Sequence, residues 1–241
     1  STAERYEVRN PANGEVIAEC AVAGEREVEQ AIQAALQAFP DWAARSYEER
    51  GEILRAVARR LQERFEEFAL VESQETGRTI RETMAHDIPA SVSVFDYFAG
   101  IAPAIQGETI PVPGMYLNYT RREPYGVVAA ITPWNFPLWL AVIKIAPALV
   151  AGNTMVLKPA PTTPLTALML AEIMAEVGLP SGVFNVLTDP TPGTVGDMLT
   201  AHPKVSKISF TGSTAVGVRV MQRAATHVAP VSLELGGKSP F

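Results

Sequence analysis

Four short polar segments each follow an apolar run of the kind that forms a buried β-strand. One of them reads Thr-Gly-Ser-Thr-Ala-Val-Gly (211–217) and leads into a helical pattern. Its spacing is that of G-x-G-x-x-G, with Thr214 at the middle position, and Gly212 allows a tight turn. Free N–H groups in the first turn of the following helix can bind a pyrophosphate. A strand-to-helix turn capped by Ser213 explains the same residues, so this segment is a weak signal by itself.

The other three segments each supply one candidate side chain. Lys158 can donate hydrogen bonds to ribose hydroxyls or to a phosphate, although a surface lysine at a strand end is the simpler explanation. Asn135 lies between Pro133 and Pro137, where its amide can donate to a developing oxyanion or satisfy its own turn. Glu234 lies between two leucines, so we expect poor solvation that strengthens it as a general base. An exposed glutamate at a strand end is the alternative.

The second half of the chain alternates short apolar runs with helical patterns. Runs that are apolar throughout are typical of parallel strands covered on both faces, so the predicted fold class is α/β with a parallel Rossmann-like sheet. Ligands bind such sheets beyond the carboxyl ends of the strands, where the four polar segments lie. We predict strands at 127–131, 154–157, 183–187, 205–210 and 231–235, an apolar helix after residue 137, and helices at 162–177, 194–201 and 215–225.

The first half is predicted to be a mainly helical segment that packs on this sheet. A strand is expected at 15–22, and two amphipathic helices follow it. The second of these helices contains the apolar positions from Ile53 to Phe68 and ends at Gly77. A further helix is expected from about residue 78 to residue 100.

A change of pattern separates these helices from the sheet. Residues 108–125 contain prolines and alternating residues, which favours a β-hairpin or an extended arm with a strand at 117–120. The chain is therefore predicted to divide into residues 1–106, a β-arm at 107–125 and a Rossmann-like region at 126–241.

Composition argues against several functional classes. The 241 residues carry a net charge of −6, so we expect no nucleic-acid partner. Lys144 and Pro147 interrupt the longest apolar run, which is too short to span a bilayer, and the N-terminus has no signal-peptide pattern. Cys20 is the single cysteine and there are three histidines, so we predict neither a disulfide nor a metal site. A cytoplasmic protein is expected.

Taken together and in order, the four segments resemble the aldehyde dehydrogenase superfamily. They read Pro-Trp-Asn-Phe-Pro (133–137), Lys-Pro-Ala (158–160), Phe-Thr-Gly-Ser-Thr (210–214) and Leu-Glu-Leu-Gly-Gly-Lys-Ser-Pro (233–240). The resemblance covers the whole chain, because Asn-Pro-Ala-Asn-Gly (10–14) and Gly-Glu-Thr-Ile-Pro (107–111) of the first half also fit it. Four motifs in sequence are far more specific than any one of them.

The resemblance implies NAD(P)-dependent oxidation of an aldehyde to a carboxylic acid through a cysteine thioester. It implies that Asn135 contributes to the oxyanion hole and that Glu234 is the general base that activates water. Phe136, Leu140 and Ile143 are expected to form an apolar wall for the aldehyde, with plain core packing as the alternative for the last two. The residues expected to contact NAD, with NADP also possible, are Ile131, Thr132, Pro133, Trp134, Lys158, Gly196, Phe210, Gly212, Ser213, Thr214, Gly217, Leu235 and Gly236.

Two departures from the family pattern matter. The family's nucleophilic cysteine follows the Glu234 segment by a few dozen residues, and this sequence ends at Phe241. Cys20 is expected to be an ordinary buried thiol, so the chain alone is predicted to be inactive, with the missing half on the same or a separate chain. Many NAD-using members have a ribose-binding glutamate at the position of Pro161. Proline there leaves NADP possible as a cofactor.

The resemblance also implies partners. An aldehyde is the expected substrate, and the complete protein is expected to form a homodimer or homotetramer through the arm. The main alternative is a non-catalytic cofactor-binding or interaction fragment that lacks the nucleophile. An acylating reductase that acts on an acyl phosphate or thioester is less favoured, because Glu234 serves hydrolysis of the acyl-enzyme.

Overall fold

Two antiparallel strands form the first described part of the chain, β1 (Arg5–Arg9) and β2 (Val16–Ala21). The computed structural model describes residues 4–191 and 193–238. Gly14 has a φ of +76°, which allows the tight turn between the two strands. The strand predicted here is confirmed and is one residue shorter at each end.

Three helices follow, α1 (Glu25–Ala44), α2 (Tyr47–Glu63) and α3 (Phe65–Thr76). The sequence pattern predicts one helix across the last two, and this is wrong, because the chain leaves helical geometry at Arg64. Apolar residues keep their helical spacing across the break since both helices pack on one core, so the periodicity does not reveal it. Gly77 ends α3 in the left-handed region at φ +74°, as predicted.

The next helical run contains a wider turn. It begins with α4 (Ile80–Glu82), continues through a π-helical turn (Thr83–Asp87) and ends with α5 (Ile88–Ile101). Ile88 N–H donates to the carbonyl five residues back, and Pro89 beside it has no N–H to donate. The predicted helix is confirmed in extent, but the spacing of its apolar residues does not reveal the π turn.

A short hairpin, which we call the arm, follows these helices. Its strands β3 (Thr109–Ile110) and β4 (Asn118–Tyr119) are antiparallel. The residues that connect them include Met115, Tyr116 and Leu117, all exposed. The predicted hairpin is confirmed, with shorter strands than expected.

Five parallel strands form the central sheet. They are β5 (Val127–Ile131), β6 (Thr154–Lys158), β7 (Phe184–Val186), β8 (Lys207–Gly212) and β9 (Val231–Leu235). Their order across the sheet is β7-β6-β5-β8-β9, which confirms the predicted parallel sheet. Strand β8 begins and ends two residues later than predicted, because Thr211 and Gly212 continue the pairing with β9.

Helices cover both faces of this sheet. One face packs against α2, α3, α5, α6 (Pro137–Val150) and α7 (Leu165–Glu176), and the other against α1, α8 (Thr194–Ala201) and α9 (Thr214–Ala224). Alternate residues of β5 belong to opposite cores, with Val128 in the first and Val127 in the second. Burial on both faces explains why the central strand β5 is apolar throughout, whereas the last strand β9 alternates Ser232 and Glu234 with apolar residues.

Candidate active site

The carboxyl edge of the sheet brings the four polar segments together. Ile131 at the end of β5 pairs with Lys158 on one side and with Phe210 on the other. The segments also bond to one another beyond the strands: Thr132 N–H donates to the Lys158 carbonyl at 3.1 Å. Likewise, the N–H of Gly236 donates to the Gly212 carbonyl at 3.2 Å, which joins the third and fourth segments.

The turn into α9 has the close packing that a glycine-rich phosphate turn needs. A Cβ added to Gly217 would lie 2.5 Å from the Leu235 side chain, and one added to Gly212 would lie 2.5 Å from the Phe210 ring. Ser213 is the N-cap, and its hydroxyl accepts from the Val216 N–H at 3.4 Å. Thr214 and its neighbours in the first turn are exposed, so this helix N-terminus faces solvent at the edge of the sheet.

Lys158 is not a surface lysine, because only 8% of it is exposed. Burial lowers the pKa of its ammonium group, and the negative charge of Asp189 acts in the opposite direction. Gly196 on α8 lies against it, since a Cβ there would be 3.8 Å from Lys158 Cδ and 3.6 Å from Ile131 Cδ1. Thr132 is buried beside them, and its hydroxyl has no hydrogen-bond partner within residues 4–191 and 193–238.

Asp189 belongs to this region and is not among the residues predicted from sequence. It is 1% exposed, and its carboxylate accepts from the N–H groups of Thr191 at 2.7 Å and Val195 at 3.1 Å. The carboxylate therefore caps the start of α8, and its negative charge stabilises the protonated form of Lys158. An aspartate between a predicted strand and a predicted helix is the sequence signal for such a cap.

Asn135 lies in the turn between β5 and α6. Pro137 is the first residue of α6 and is buried, which anchors the turn. Asn135 and Trp134 are exposed, and the Asn135 amide has no hydrogen-bond partner among the described residues. The amide is therefore available to a ligand at this edge instead of being used by its own turn.

Glu234 is exposed in the described chain, so the expectation of poor solvation is wrong there. β9 is the last strand of the sheet, and within the described residues it has a strand neighbour on one side only. The two leucines that flank Glu234 lead to the expectation of burial, but flanking residues do not show whether another element covers the outer side of the strand. Asn135 follows β5, and Glu234 lies near the end of β9. One strand, β8, separates these two, a spacing of about 10 Å across the sheet.

Lys144 is a second residue that sequence reasoning missed. It is 8% exposed, and its Nζ donates to Ser209 Oγ at 3.1 Å. Burial lowers the pKa of Lys144, while the negative charge of Glu234 opposes that effect. The sequence signal is a lone lysine in the otherwise apolar α6.

The three residues of the predicted substrate wall form a half-buried stripe along the first half of α6. Phe136 is the N-cap of the helix, and Leu140 and Ile143 lie within it at a spacing that places them on one face. Ile143 also lines a groove of about 360 Å³ together with Lys144.

Cys20 is buried in β2, and burial raises the pKa of its thiol. A raised pKa leaves little thiolate at neutral pH, as expected for an ordinary buried thiol. Among the described residues there is no grouping of His, Cys, Asp and Glu able to hold a metal ion. In the same part of the chain, no helix combines the length and apolar character that a membrane crossing requires.

A parallel sheet with a helix N-terminus, a buried lysine and an available amide at one edge defines a dinucleotide-binding enzyme domain of the Rossmann-like class. The family model described as "Aldehyde dehydrogenase family" matches residues 1–241, so the chain belongs to the aldehyde dehydrogenase family. The family predicted from the four motifs is thereby confirmed.

Several solved structures are similar to the chain over almost all of its length. A putative aldehyde dehydrogenase from Burkholderia cenocepacia is 45% identical with a TM-score of 0.95, covering 97% of this chain and 48% of that one. An Escherichia coli NADP dependent enzyme is 42% identical with a TM-score of 0.95, covering 98% and 49%. The NAD+ complex of a Bacillus cereus aldehyde dehydrogenase is 40% identical with a TM-score of 0.96, covering 98% and 48%. The chain thus spans about half the length of these proteins.

Proposed function

We propose that this chain supplies the cofactor site, the oxyanion donor and the general base of an NAD(P)-dependent aldehyde dehydrogenase. The observation that carries the proposal is the position of the available Asn135 amide and the Glu234 carboxylate. Both lie at the sheet edge that also presents the N-terminus of α9. The overall reaction is oxidation of an aldehyde to a carboxylic acid through a cysteine thioester.

The residues at this edge fit a dinucleotide. The first turn of α9 is open to a pyrophosphate, and Lys158 Nζ and the unpartnered Thr132 hydroxyl are polar groups without strong protein partners. The bound nicotinamide cofactor would accept a hydride from the substrate carbon. Related structures include an NAD+ complex and an NADP dependent enzyme, which supports binding of either cofactor. The proposed contacts are Ile131, Thr132, Pro133, Trp134, Lys158, Gly196, Phe210, Gly212, Ser213, Thr214, Gly217, Leu235 and Gly236.

In this proposal Asn135 and Glu234 act at different stages. The Asn135 amide donates to the oxygen that becomes negative when a thiolate attacks the aldehyde. Glu234 accepts a proton from the water that hydrolyses the thioester. The burial of Cys20 makes it unsuitable as the nucleophile, so the attacking thiol belongs to a part of the protein outside residues 1–241. Residues 1–241 alone are then expected to be inactive.

The arm and the stripe on α6 have proposed roles as well. The arm exposes Met115, Tyr116 and Leu117, which favours burial against another subunit in a homodimer or homotetramer. Phe136, Leu140 and Ile143 would contact the carbon chain of the aldehyde. The proposed division of the chain remains 1–106, 107–125 and 126–241.

Substitution of Asn135 tests the proposal. In the complete enzyme, Asn135→Ala should lower kcat for aldehyde oxidation by about 10²- to 10³-fold, because one oxyanion donor is lost. The dissociation constant of NAD should stay within about twofold, which makes it the matched control. Unchanged kcat would contradict the role of Asn135. Cofactor binding by the unaltered protein without any aldehyde turnover would favour the non-catalytic alternative instead.

A further inference from the structure

A cationic side chain from outside the sheet lies on the turn that holds Asn135. Arg78, just after the end of α3, places its guanidinium carbon 4.1 Å from the centroid of the Phe136 ring. Phe136 also packs edge-to-face with Trp139, with the two ring centroids 6.0 Å apart at 74°. Phe136 therefore contacts both a cation and a second aromatic ring, and both contacts are attractive.

Arg78 is itself fixed by its surroundings. Its Nη1 donates to Asp87 Oδ2 at 2.6 Å, and the Asp87 side chain is only 2% exposed. Its backbone carbonyl accepts from the Ser73 hydroxyl at 2.7 Å, and its N–H donates to Thr76 Oγ1 at 3.2 Å. An arginine held at its backbone and at its guanidinium has lost most of its freedom to leave the ring.

Asp87 has a second buried carboxyl group beside it, that of Glu72, but in the part of the chain that the structure describes only Asp87 forms an ion pair with Arg78. Glu72 is fully buried, and both Glu72 carboxyl oxygens have no hydrogen-bond partner within the described chain. Burial, followed by the charges of Asp87 and Glu75, raises the pKa of Glu72 to about 9. Glu72 is therefore neutral at neutral pH, and Asp87 is the carboxylate that pairs with Arg78.

Phe136 connects the ring contact to the turn that holds Asn135. It is the N-cap of α6, and its carbonyl accepts from Leu140 N–H at 2.9 Å. Asn135 precedes it directly, and its amide has no hydrogen-bond partner within residues 4–191 and 193–238. The two residues share one peptide unit, so a shift of the Phe136 backbone that accompanies release of its ring would also move Asn135.

We propose that Arg78 is a positioning residue that fixes the Phe136 ring and, through it, the oxyanion donor Asn135. The proposal rests on the proposed role of Asn135, although the structural part of it can be measured independently. Arg64 provides a matched control, because its guanidinium carbon also lies over a phenylalanine, Phe68, at 5.6 Å and it also pairs with a glutamate.

The structural part is tested by fluorine NMR on the chain labelled with 5-fluorotryptophan. The chain has three tryptophans, of which Trp139 and Trp134 adjoin Phe136, while buried Trp42 donates to the Leu149 carbonyl and is the internal reference. Arg78→Met should shift or broaden the Trp139 and Trp134 signals and leave Trp42 unchanged. Arg64→Met should leave all three unchanged. Unaltered Trp139 and Trp134 signals in Arg78→Met would overturn the proposal.

Arg78→Lys keeps the positive charge beside Asp87 and removes the planar guanidinium. Arg78→Lys should fold even if Arg78→Met does not. It should also move the Trp139 signal less than Arg78→Met does. A Trp139 signal identical to that of the unaltered chain in Arg78→Lys, with Arg78→Met unable to fold, would reduce Arg78 to a structural residue and overturn the proposal.

Kinetics of the complete enzyme test the functional part. Arg78→Met should lower kcat about 10- to 100-fold with KM for NAD unchanged, and Arg78→Lys should recover part of the loss. In an Asn135→Ala background, Arg78→Met should cause no further loss, because both act through one group. A full additional loss would overturn the proposal. If Asn135→Ala alone keeps the normal kcat while the fluorine shifts persist, the role of Asn135 has failed and the positioning of the turn has not.

Discussion

Pro161 shows how a single residue is expected to set cofactor preference. It is half-buried in the segment that follows β6, three residues after Lys158. Two arginines of α9, Arg219 and Arg223, both pair with Asp197 of α8 and so are already engaged. Within residues 4–191 and 193–238, Lys158 is the cation that we expect to be available to a 2′-phosphate, which favours NAD as the first cofactor while NADP is tolerated.

A carboxylate at position 161 should sharpen this preference. Pro161→Glu is expected to raise the ratio of NADP to NAD dissociation constants about tenfold or more, because a 2′-phosphate would meet a like charge. Titration of both cofactors measures the ratio, and Thr162→Glu, at the exposed neighbouring residue, is the control. A ratio that stays the same in Pro161→Glu would show that this residue does not determine the preference.

Glu72 makes a pH-dependent contribution to stability. Its pKa of about 9 in the folded chain exceeds the ordinary value of 4.5, so between these values the folded state binds one more proton than the unfolded state. The free energy of unfolding should therefore fall as pH rises, by at most about 1.4 kcal/mol per pH unit. Urea unfolding between pH 7 and 9 measures this slope.

Glu72→Gln removes the titrating group and keeps the shape of the side chain, so its slope should be less negative than that of the unaltered chain. Glu66→Gln, an exposed residue on the same helix, should leave the slope unchanged. Parallel slopes for Glu72→Gln and the unaltered chain would contradict a neutral, buried Glu72.

Among the elements, α6 begins at the turn that holds Asn135 and packs on one face of the sheet. Its stripe of Phe136, Leu140 and Ile143 remains half-open in the described chain. Ile143→Trp should change the ranking of long against short aldehydes in the complete enzyme, because a larger side chain narrows the proposed wall. Ratios of kcat/KM for an aldehyde series measure this change. Leu70→Trp, at an exposed position of α3, is the control. A change in stability with the ranking preserved would favour plain core packing.

Sequence patterns predict the centre of the sheet well because burial on both faces leaves an uninterrupted apolar run in β5, which matches its predicted bounds. β9 matches its predicted bounds, and so does α8. Patterns fail where the deciding contact is distant in sequence. The break at Arg64 is hidden by a core shared between two helices, and the two-residue shift of β8 depends on pairing with β9.

Some features of the candidate site are likewise predictable from the sequence, and others depend on contacts that are distant along the chain. Motif order identifies the residues that the sheet brings to one edge, such as Lys158 and Asn135. It does not reveal that Lys158 is buried, that Glu234 is exposed or that buried Lys144 donates to Ser209, since each depends on neighbours from other elements. The contact of Arg78 with Phe136 is likewise set by tertiary packing and has no local sequence signal.

At the scale of the whole molecule, the open surfaces share one feature. The outer side of β9, the stripe on α6 and the apolar arm are all uncovered within the described residues. The related structures are about twice as long as this chain. We propose that these surfaces are covered in the complete enzyme, the first two beside the nucleophile and the arm by another subunit.

We propose that Glu234 activates the water that hydrolyses a thioester formed on a cysteine other than Cys20. Rapid-mixing measurement of NAD(P)H formation by the complete enzyme tests it most directly. In Glu234→Gln the first turnover should remain as a fast burst, while the later steady rate falls, because the amide cannot take a proton from water. Cys20→Ser should keep both phases. Equal loss of burst and steady rate in Glu234→Gln, or loss of the burst in Cys20→Ser, would contradict the account.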